Sequence, residues 1–255
     1  MARPRKDSKP QDAIDQEASE PKRRNSVNLF EQAYERLEDL IVKCELSPGR
    51  FLSIQDLQTL TGISRTPVHQ AVGRLAEDTL IHIRPRHGLQ IAPIDLARER
   101  MLLRLRRDLE RFVIKLAAEN ASPAQRNQML HLARVIRERR STITIDDFNN
   151  FDRRIDTLIL TAGNEPFLVH TLRPLHTIFR RIGWIHHNHT SGNFSLDGTV
   201  DHHLAVLNAI ANRHVEEAVS ASDALIEFVN SMFDVIEKEI DPSLLDCSIE
   251  PFVTL

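Results

Sequence analysis

The chain has 255 residues, a hydrophobic fraction of 41% and a formal net charge of −3. That length suits one large or two modest domains with real cores, and the charge excludes a chain basic enough to grip nucleic acid along its whole length. With only 8 glycines, one Trp and one Tyr, the composition predicts a mostly helical protein. Cys44 and Cys247 stand far apart, in no metal-binding spacing. There is no signal-peptide pattern and no apolar run near membrane-spanning length. The reading is a cytoplasmic protein without a membrane partner, its thiols reduced and Cys44 buried on a helix face.

Residues 1–28 are polar and mixed in charge, with basic clusters at Arg3-Pro4-Arg5-Lys6 and Lys22-Arg23-Arg24. They read as a disordered tail, or as an arm that adds phosphate contacts. From Leu29 to Cys44, the positions Phe30, Tyr34, Leu37, Ile41 and Cys44 form one face of an amphipathic helix, which Ser47-Pro48-Gly49 ends. Leu57, Leu60 and Ile63 supply the apolar face of a second, short helix. Gly62 stops it, because glycine enters left-handed conformations without a Cβ clash. Ser64 or Thr66 can cap the next helix, with Pro67 in its first turn. Val68, Ala71, Val72 and Leu75 recur at helical spacing and face inward, leaving Arg65, Thr66, His69 and Gln70 outward near the helix start.

Two short helices around a glycine turn fit a helix-turn-helix, and equally an ordinary αα-hairpin. The downstream sequence decides. Leu80-Ile81-His82-Ile83 and Leu89-Gln90-Ile91 are two short strand-like runs, and Arg84-Pro85-Arg86-His87-Gly88 between them is a basic turn. A helix-turn-helix followed by such a hairpin predicts a winged helix over residues 29–93. Its partner is double-stranded DNA: Ser64, Arg65, Thr66, Pro67, His69 and Gln70 face the major groove, and Arg84, Arg86, His87 and Gly88 lie on the wing. Arg65, Arg74, Arg84 and Arg86, with His69, His82 and His87, supply the local basic patch that the net charge lacks.

Ser64-Arg65-Thr66-Pro67-Val68, Arg86-His87-Gly88 and Leu46-Ser47-Pro48-Gly49 make this segment resemble the DNA-binding domain of the GntR family of bacterial transcription regulators. Two positions depart from the family pattern: His69, where Arg is common, and Thr79, where Gly is common. A neutral His makes fewer base contacts than a bidentate Arg, so the operator should differ from the common half-site.

Ala92-Pro93-Ile94-Asp95 is a short linker, after which residues 96–240 are helical throughout. The spacing predicts helices over about 96–119, 123–139, 146–162, 165–187, 198–211 and 214–239. Short connections make neighbours antiparallel. Residues 241–255 read as a C-terminal tail with apolar anchors such as Phe252. The fold class is therefore mostly α: an N-terminal winged helix-turn-helix and a C-terminal antiparallel helical bundle.

Arg106-Arg107-Asp108-Leu109-Glu110, Asp152-Arg153-Arg154-Ile155-Asp156, Gly163-Asn164-Glu165-Pro166-Phe167-Leu168 and His202-His203-Leu204-Ala205-Val206 make the bundle resemble the FCD domain of the FadR branch. That resemblance implies a pocket for a small carboxylate effector, and a divalent metal held by an Asp and a His one turn apart with two later histidines. Here the first pair is Asp152 and Asp156. His203 matches a later His, and Asp223 is the nearest candidate for the last. Such an oxygen-rich set would favour Mg²⁺, Ca²⁺ or Mn²⁺ over Zn²⁺. The other readings are a carboxylate–histidine hydrogen-bond network, or an effector pocket that uses those groups directly.

Arg106 matches the family's pocket arginine, with Arg107 one frame away and a helical salt bridge to Glu110 as the structural reading. Arg173, Arg180 and Arg181 compete for the same cavity, and Trp184 is a candidate wall. His186, His187 and His189 read as exposed residues at a helix end, and His202 as exposed beside His203. The expected function is a two-fold dimeric regulator, a repressor on the family pattern, that binds a palindromic operator and responds to a small organic acid. A metal-dependent enzyme using Asp152, Asp156 and His203 is the alternative, and it lacks a nucleophile-and-base motif. A purely architectural DNA binder would leave the second domain without a purpose.

Overall fold

The computed structural model describes residues 21–190 and 195–249. The basic cluster at Arg3–Lys6, the turn at Ser191-Gly192-Asn193 and the anchor Phe252 lie outside the described residues.

Helix α1 spans Pro21–Val42. It begins eight residues before the predicted start, so the tail reading does not hold for residues 21–28. Ala33, Tyr34, Leu37 and Ile41 are buried along one face. Cys44 lies beyond the helix end with φ 54, half-buried against the second domain rather than on a helix face. Strand β1 (Phe51–Leu52) follows, then α2 (Ile54–Thr61), opened by a reciprocal Ser53–Asp56 capping box. Gly62 closes α2 at φ 70, its N–H donating to the Gln58 carbonyl. Helix α3 (Arg65–Glu77) buries Val68, Ala71, Val72 and Leu75 as the spacing predicts. Leu60 does not share that core: it is 47% exposed, because α2 is too short to present more than Leu57 fully inward.

The wing is formed by β2 (Ile81–Arg84) and β3 (Gly88–Ile91), antiparallel with His82 opposite Gln90. Strand β1 pairs with the other edge of β3, giving the order β1-β3-β2. This third strand was not predicted, since two residues show no alternation to read. Gly88 has a specific reason to be glycine. Its φ is +91, and a Cβ there would stand 2.8 Å from the Leu52 carbonyl oxygen of β1.

The second domain contains α4 (Leu96–Asn120), α5 (Pro123–Arg139), α6 (Ile145–Gly163), α7 (Pro166–His189), α8 (Asp197–Ala211) and α9 (Val215–Glu239). Capping boxes at Ser122/Gln125 and Thr144/Asp147, and left-handed Asn164 after α6, place the boundaries within two residues of prediction. Helix α4 packs against α9, α6 and α7, so α4, α6 and α7 wall the middle of the bundle. A short helix α10 (Pro242–Leu245) follows.

The two domains are tied together. Ile178 of α7 belongs to the buried cluster of the winged helix. In the linker, Ala92 accepts from Arg181 Nη1 at 2.9 Å, and the Ile94 N–H donates to the Leu245 carbonyl at 2.8 Å. The Cys247 N–H donates to Pro48 at 2.9 Å, so residues 242–247 run along both domains and are not a free tail.

Candidate functional site

The first candidate surface begins where α3 begins. Ser64 occupies the N-cap position yet makes no capping hydrogen bond. Its hydroxyl is exposed beside Arg65, Thr66, His69 and Gln70, and Arg65 pairs with nothing among the described residues. The start of a helix therefore offers unsatisfied backbone N–H groups and free polar side chains together, which suits a phosphate and a base edge. Pro67 differs from its neighbours. It is buried in the first turn and sets the helix start rather than presenting a contact. At the wing, Arg84 Nε donates to Gln90 Oε1 at 3.1 Å, which orients the guanidinium. Arg86 at φ 69, His87 and Gly88 form the exposed tip.

The second candidate site is a cavity of about 340 Å³ inside the bundle, within the range of small-molecule pockets. Phe148, Phe179, Leu225, Phe228, Val229 and Met232 supply most of its wall, and Arg106, Asn149, Asp152, His176, Arg180 and His203 supply its polar side. Arg106, and not Arg107, is the inward residue: it is 8% exposed, while Arg107 reaches out to Glu227. Arg106 donates Nε to Glu110 at 3.2 Å, and its guanidinium lies 5.3 Å from the Phe179 ring centre.

Arg180 spans the two aspartates, with Nε 3.0 Å from Asp152 Oδ2 and Nη2 3.2 Å from Asp156 Oδ2. His203 faces Asp152 Oδ1 through Nε2 at 3.0 Å, and its Nδ1 sits 2.7 Å from the Thr199 carbonyl. Both ring nitrogens face acceptors, and although burial disfavours the charged form, Asp152 raises the His203 pKa above the usual imidazole value. His176 lies between two carboxylates, its Nε2 hydrogen-bonded to Glu110 Oε1 at 2.7 Å and its Nδ1 3.1 Å from Asp156 Oδ2 without a hydrogen bond. Burial alone would lower the His176 pKa, but Asp156 and Glu110 raise it to about 9. Burial likewise pushes Glu110 up, and His176 and Arg106 outweigh it to leave about 2. For Asp152, the His203 hydrogen bond and the Arg180 charge outweigh burial and hold it well below the usual carboxylate range.

These residues do not fit a divalent ion. A metal shared by Asp152 and Asp156 would sit where the Arg180 guanidinium sits, and His203 would have to give up its Asp152 or Thr199 contact and a proton to join it. Asp223 is not near them. It makes a two-pronged ion pair with Arg111 on the outer side of α9, at 2.8 and 3.0 Å, because the inward face of α9 runs through Ser222, Leu225, Ile226 and Val229. Among the described residues, no three acidic, histidine or cysteine side chains gather in a way that could hold a metal.

Arg180 was one of three arginine candidates; Arg173 instead stacks on Tyr34 and Arg181 holds the linker. His176 and Asn149 were not predicted. The available signal was that His176, Arg180, Gly183 and His187 recur at helical spacing on one face of α7. His186 is buried and lines the cavity instead of capping an exposed end, because α7 continues through His189. Trp184 is half-exposed and lines no part of it. His202 is half-buried against the Phe228 ring.

Known proteins show the same two-part layout. The model for bacterial regulatory proteins of the gntR family matches residues 29–91, and the FCD domain model matches residues 101–228. The HTH-type transcriptional repressor RspR of Escherichia coli is 27% identical over 212 residues, covering 82% of this chain and 90% of that one. The solved structure of E. coli McbR/YncC superposes with a TM-score of 0.69 at 18% identity, over 81% of this chain and 97% of the other. A GntR regulator of Rhodococcus sp. RHA1 superposes at 0.58 and 19%, with the same coverage.

Proposed function

This chain belongs to the GntR family of bacterial regulatory proteins and carries an FCD domain, and from that premise we propose how it regulates transcription. It binds a palindromic operator as a two-fold dimer, in the cytoplasm, and a small organic carboxylate in the bundle cavity changes its affinity for that operator. One observation carries the reading. An open, unpaired α3 start in one domain stands against a partly open cavity in the other, lined by Arg106, Asn149, Arg180 and His203. Arginine beside an apolar wall suits a carboxylate with an organic body.

The repressor sense follows the relative RspR, which is named a repressor. The dimer reading rests on α3 being short and on an apolar stripe along α4. Met101, Leu105 and Phe112 are 60%, 49% and 58% exposed and fall on one side of the helix, with Asp108 between them. The enzyme alternative is set aside: the matching families and relatives are transcriptional regulators, and Asp152, Asp156 and His203 bind one another's partners, with no activated nucleophile among them. The deciding experiment is a fluorescence-anisotropy titration of DNA from the protein's own upstream region, with and without a panel of carboxylic acids. Saturable binding that at least one acid shifts supports the reading. Binding indifferent to sequence, or to every acid, refutes it.

A further inference from the structure

The polar side of the cavity closes on itself. Arg106, His176, Arg180 and His203 face Glu38, Glu110, Asp152 and Asp156, four cations against four carboxylates. The one cation that bridges both aspartates is a side chain, held along one edge of its guanidinium by Nε and Nη2, with Nη1 buried and making no hydrogen bond. Several buried donors here make no hydrogen bond, Arg180 Nη1 and His176 Nδ1 among them, and two more suit a ligand. Asn149 is 4% exposed and lines the cavity, and its buried Nδ2 makes no hydrogen bond. The terminal nitrogens of Arg106 have no hydrogen-bond partner among the described residues, since only its Nε is taken, by Glu110. A buried amide donor without an acceptor is costly, and a ligand oxygen would satisfy it.

We infer that Arg180 is the built-in cation of this bundle core, occupying the place of a divalent ion, and that the cavity takes an apolar monocarboxylate directly. The inference rests on the reading of the cavity as the effector site and narrows it. Without a metal, nothing in the cavity can be chelated, so a hydroxy-acid or polyacid loses the bidentate grip that an ion would give it. Each further carboxylate would enter beside Glu110 and Asp152, whose charges oppose it more than the spare Arg180 Nη1 donor offsets. One carboxylate can accept from Asn149 Nδ2 and the free end of Arg106, and an aliphatic or aromatic body can pack on Phe148, Phe179, Phe228 and Met232.

The test uses the full chain, purified without chelator, with metal content by plasma mass spectrometry and thermal melting as readouts. Wild type is expected to carry no stoichiometric metal, and its melt should be unmoved by EDTA, Mn²⁺ or Zn²⁺. Octanoate and phenylacetate should raise the melt equally with and without EDTA, while citrate and malate should not. Arg180→Ala should melt lower, and Mn²⁺ or Zn²⁺ should restore part of the loss by entering between Asp152 and Asp156. One ion per wild-type chain whose removal lowers the melt would overturn the inference. So would a citrate shift that EDTA abolishes, or an Arg180→Ala protein indistinguishable from wild type. If Arg180→Ala does not fold, the wild-type metal and ligand measurements still decide. If no acid of either set shifts the melt, the effector reading of the cavity fails, and the metal measurement alone judges the built-in cation.

Discussion

Arg65 and Thr79 show how much one residue can carry. Arg65 stands in the first turn of α3, exposed and with no partner among the described residues, so its loss tests the proposed DNA contact without leaving a hole in the fold. Arg65→Ala should cost about 1–3 kcal/mol of specific operator binding, as for a bidentate base contact. An unchanged operator affinity at matched salt would show that α3 does not read the DNA. Thr79 is a β-branched residue at φ 62, a conformation that costs an L-residue roughly 1–2 kcal/mol. Thr79→Gly relieves that strain, less about 0.5–1 kcal/mol for the freer unfolded chain and the exposed bond from Arg98 Nη2 to the Thr79 hydroxyl. The net expectation is a melting temperature slightly above wild type, and a lower one would show that the hydroxyl matters more than the backbone. At this scale the sequence was only partly legible. Helical spacing and family likeness point to Asp152, Asp156, His203 and Arg106, and in the structure Asp152 lies beside His203 while Arg180 spans Asp152 and Asp156. That Arg180 and His176 would insert among them depends on how α7 rolls against α4 and α6, which no local pattern encodes.

Among the elements, α1 and α7 form the junction between DNA-binding half and cavity. Glu38 of α1 is 4% exposed, lies 3.9 Å from Arg180 Nη1 and 3.5 Å from Arg153 Nε, and accepts a hydrogen bond from Thr177. Four residues before it, Tyr34 donates to Asp78, the C-cap of α3, at 2.9 Å. Neutralising Glu38 leaves Arg180 with Asp152 and Asp156 and Arg153 with Asp39, so Glu38→Gln should destabilise by less than the roughly 3–5 kcal/mol of a stranded buried charge. Combined with Arg180→Met, it should cost less than the sum of the two single changes, as measured by urea unfolding of all four proteins. Strict additivity would mean that Glu38 and Arg180 do not sense each other. The helix boundaries were legible because their signals are local: Ser122-Pro123 with Gln125, Thr144 with Asp147, and Asn164 after Gly163. Strand β1 was not, because its only evidence is a partner some forty residues away in β3.

For the molecule as a whole, the buried ion cluster sets a pH window. Glu110, with its folded pKa near 2 against 4.5 unperturbed, adds stability above about 4.5 that is lost as pH falls through 2. His176, near 9 against 6.5, adds stability fully present below 6.5 that is lost as pH rises through 9. Stability should be greatest between about 4.5 and 6.5 and decline on both sides by a few kcal/mol, shared between the pair rather than summed. Denaturation midpoints at pH 3, 6 and 9.5 check this, and His176→Gln should flatten the alkaline side. Assembly offers a second whole-molecule test. If the proposed dimer forms through the α4 stripe, Phe112→Asp should give a monomer by light scattering and weaken binding to an operator whose half-sites lie about one helical turn, ~34–36 Å, apart. A dimer that survives the substitution places the contact away from the α4 stripe. Ile178 reaches further than its size suggests. Because this α7 side chain completes the core of the winged helix, the DNA-reading half is not an interchangeable cassette. A biosensor made by joining it at residues 92–95 to a foreign bundle would lack the filling for that core and the strand of backbone at Cys247 that Pro48 holds. Engineers would need to carry over the matching face of α7 along with the reader.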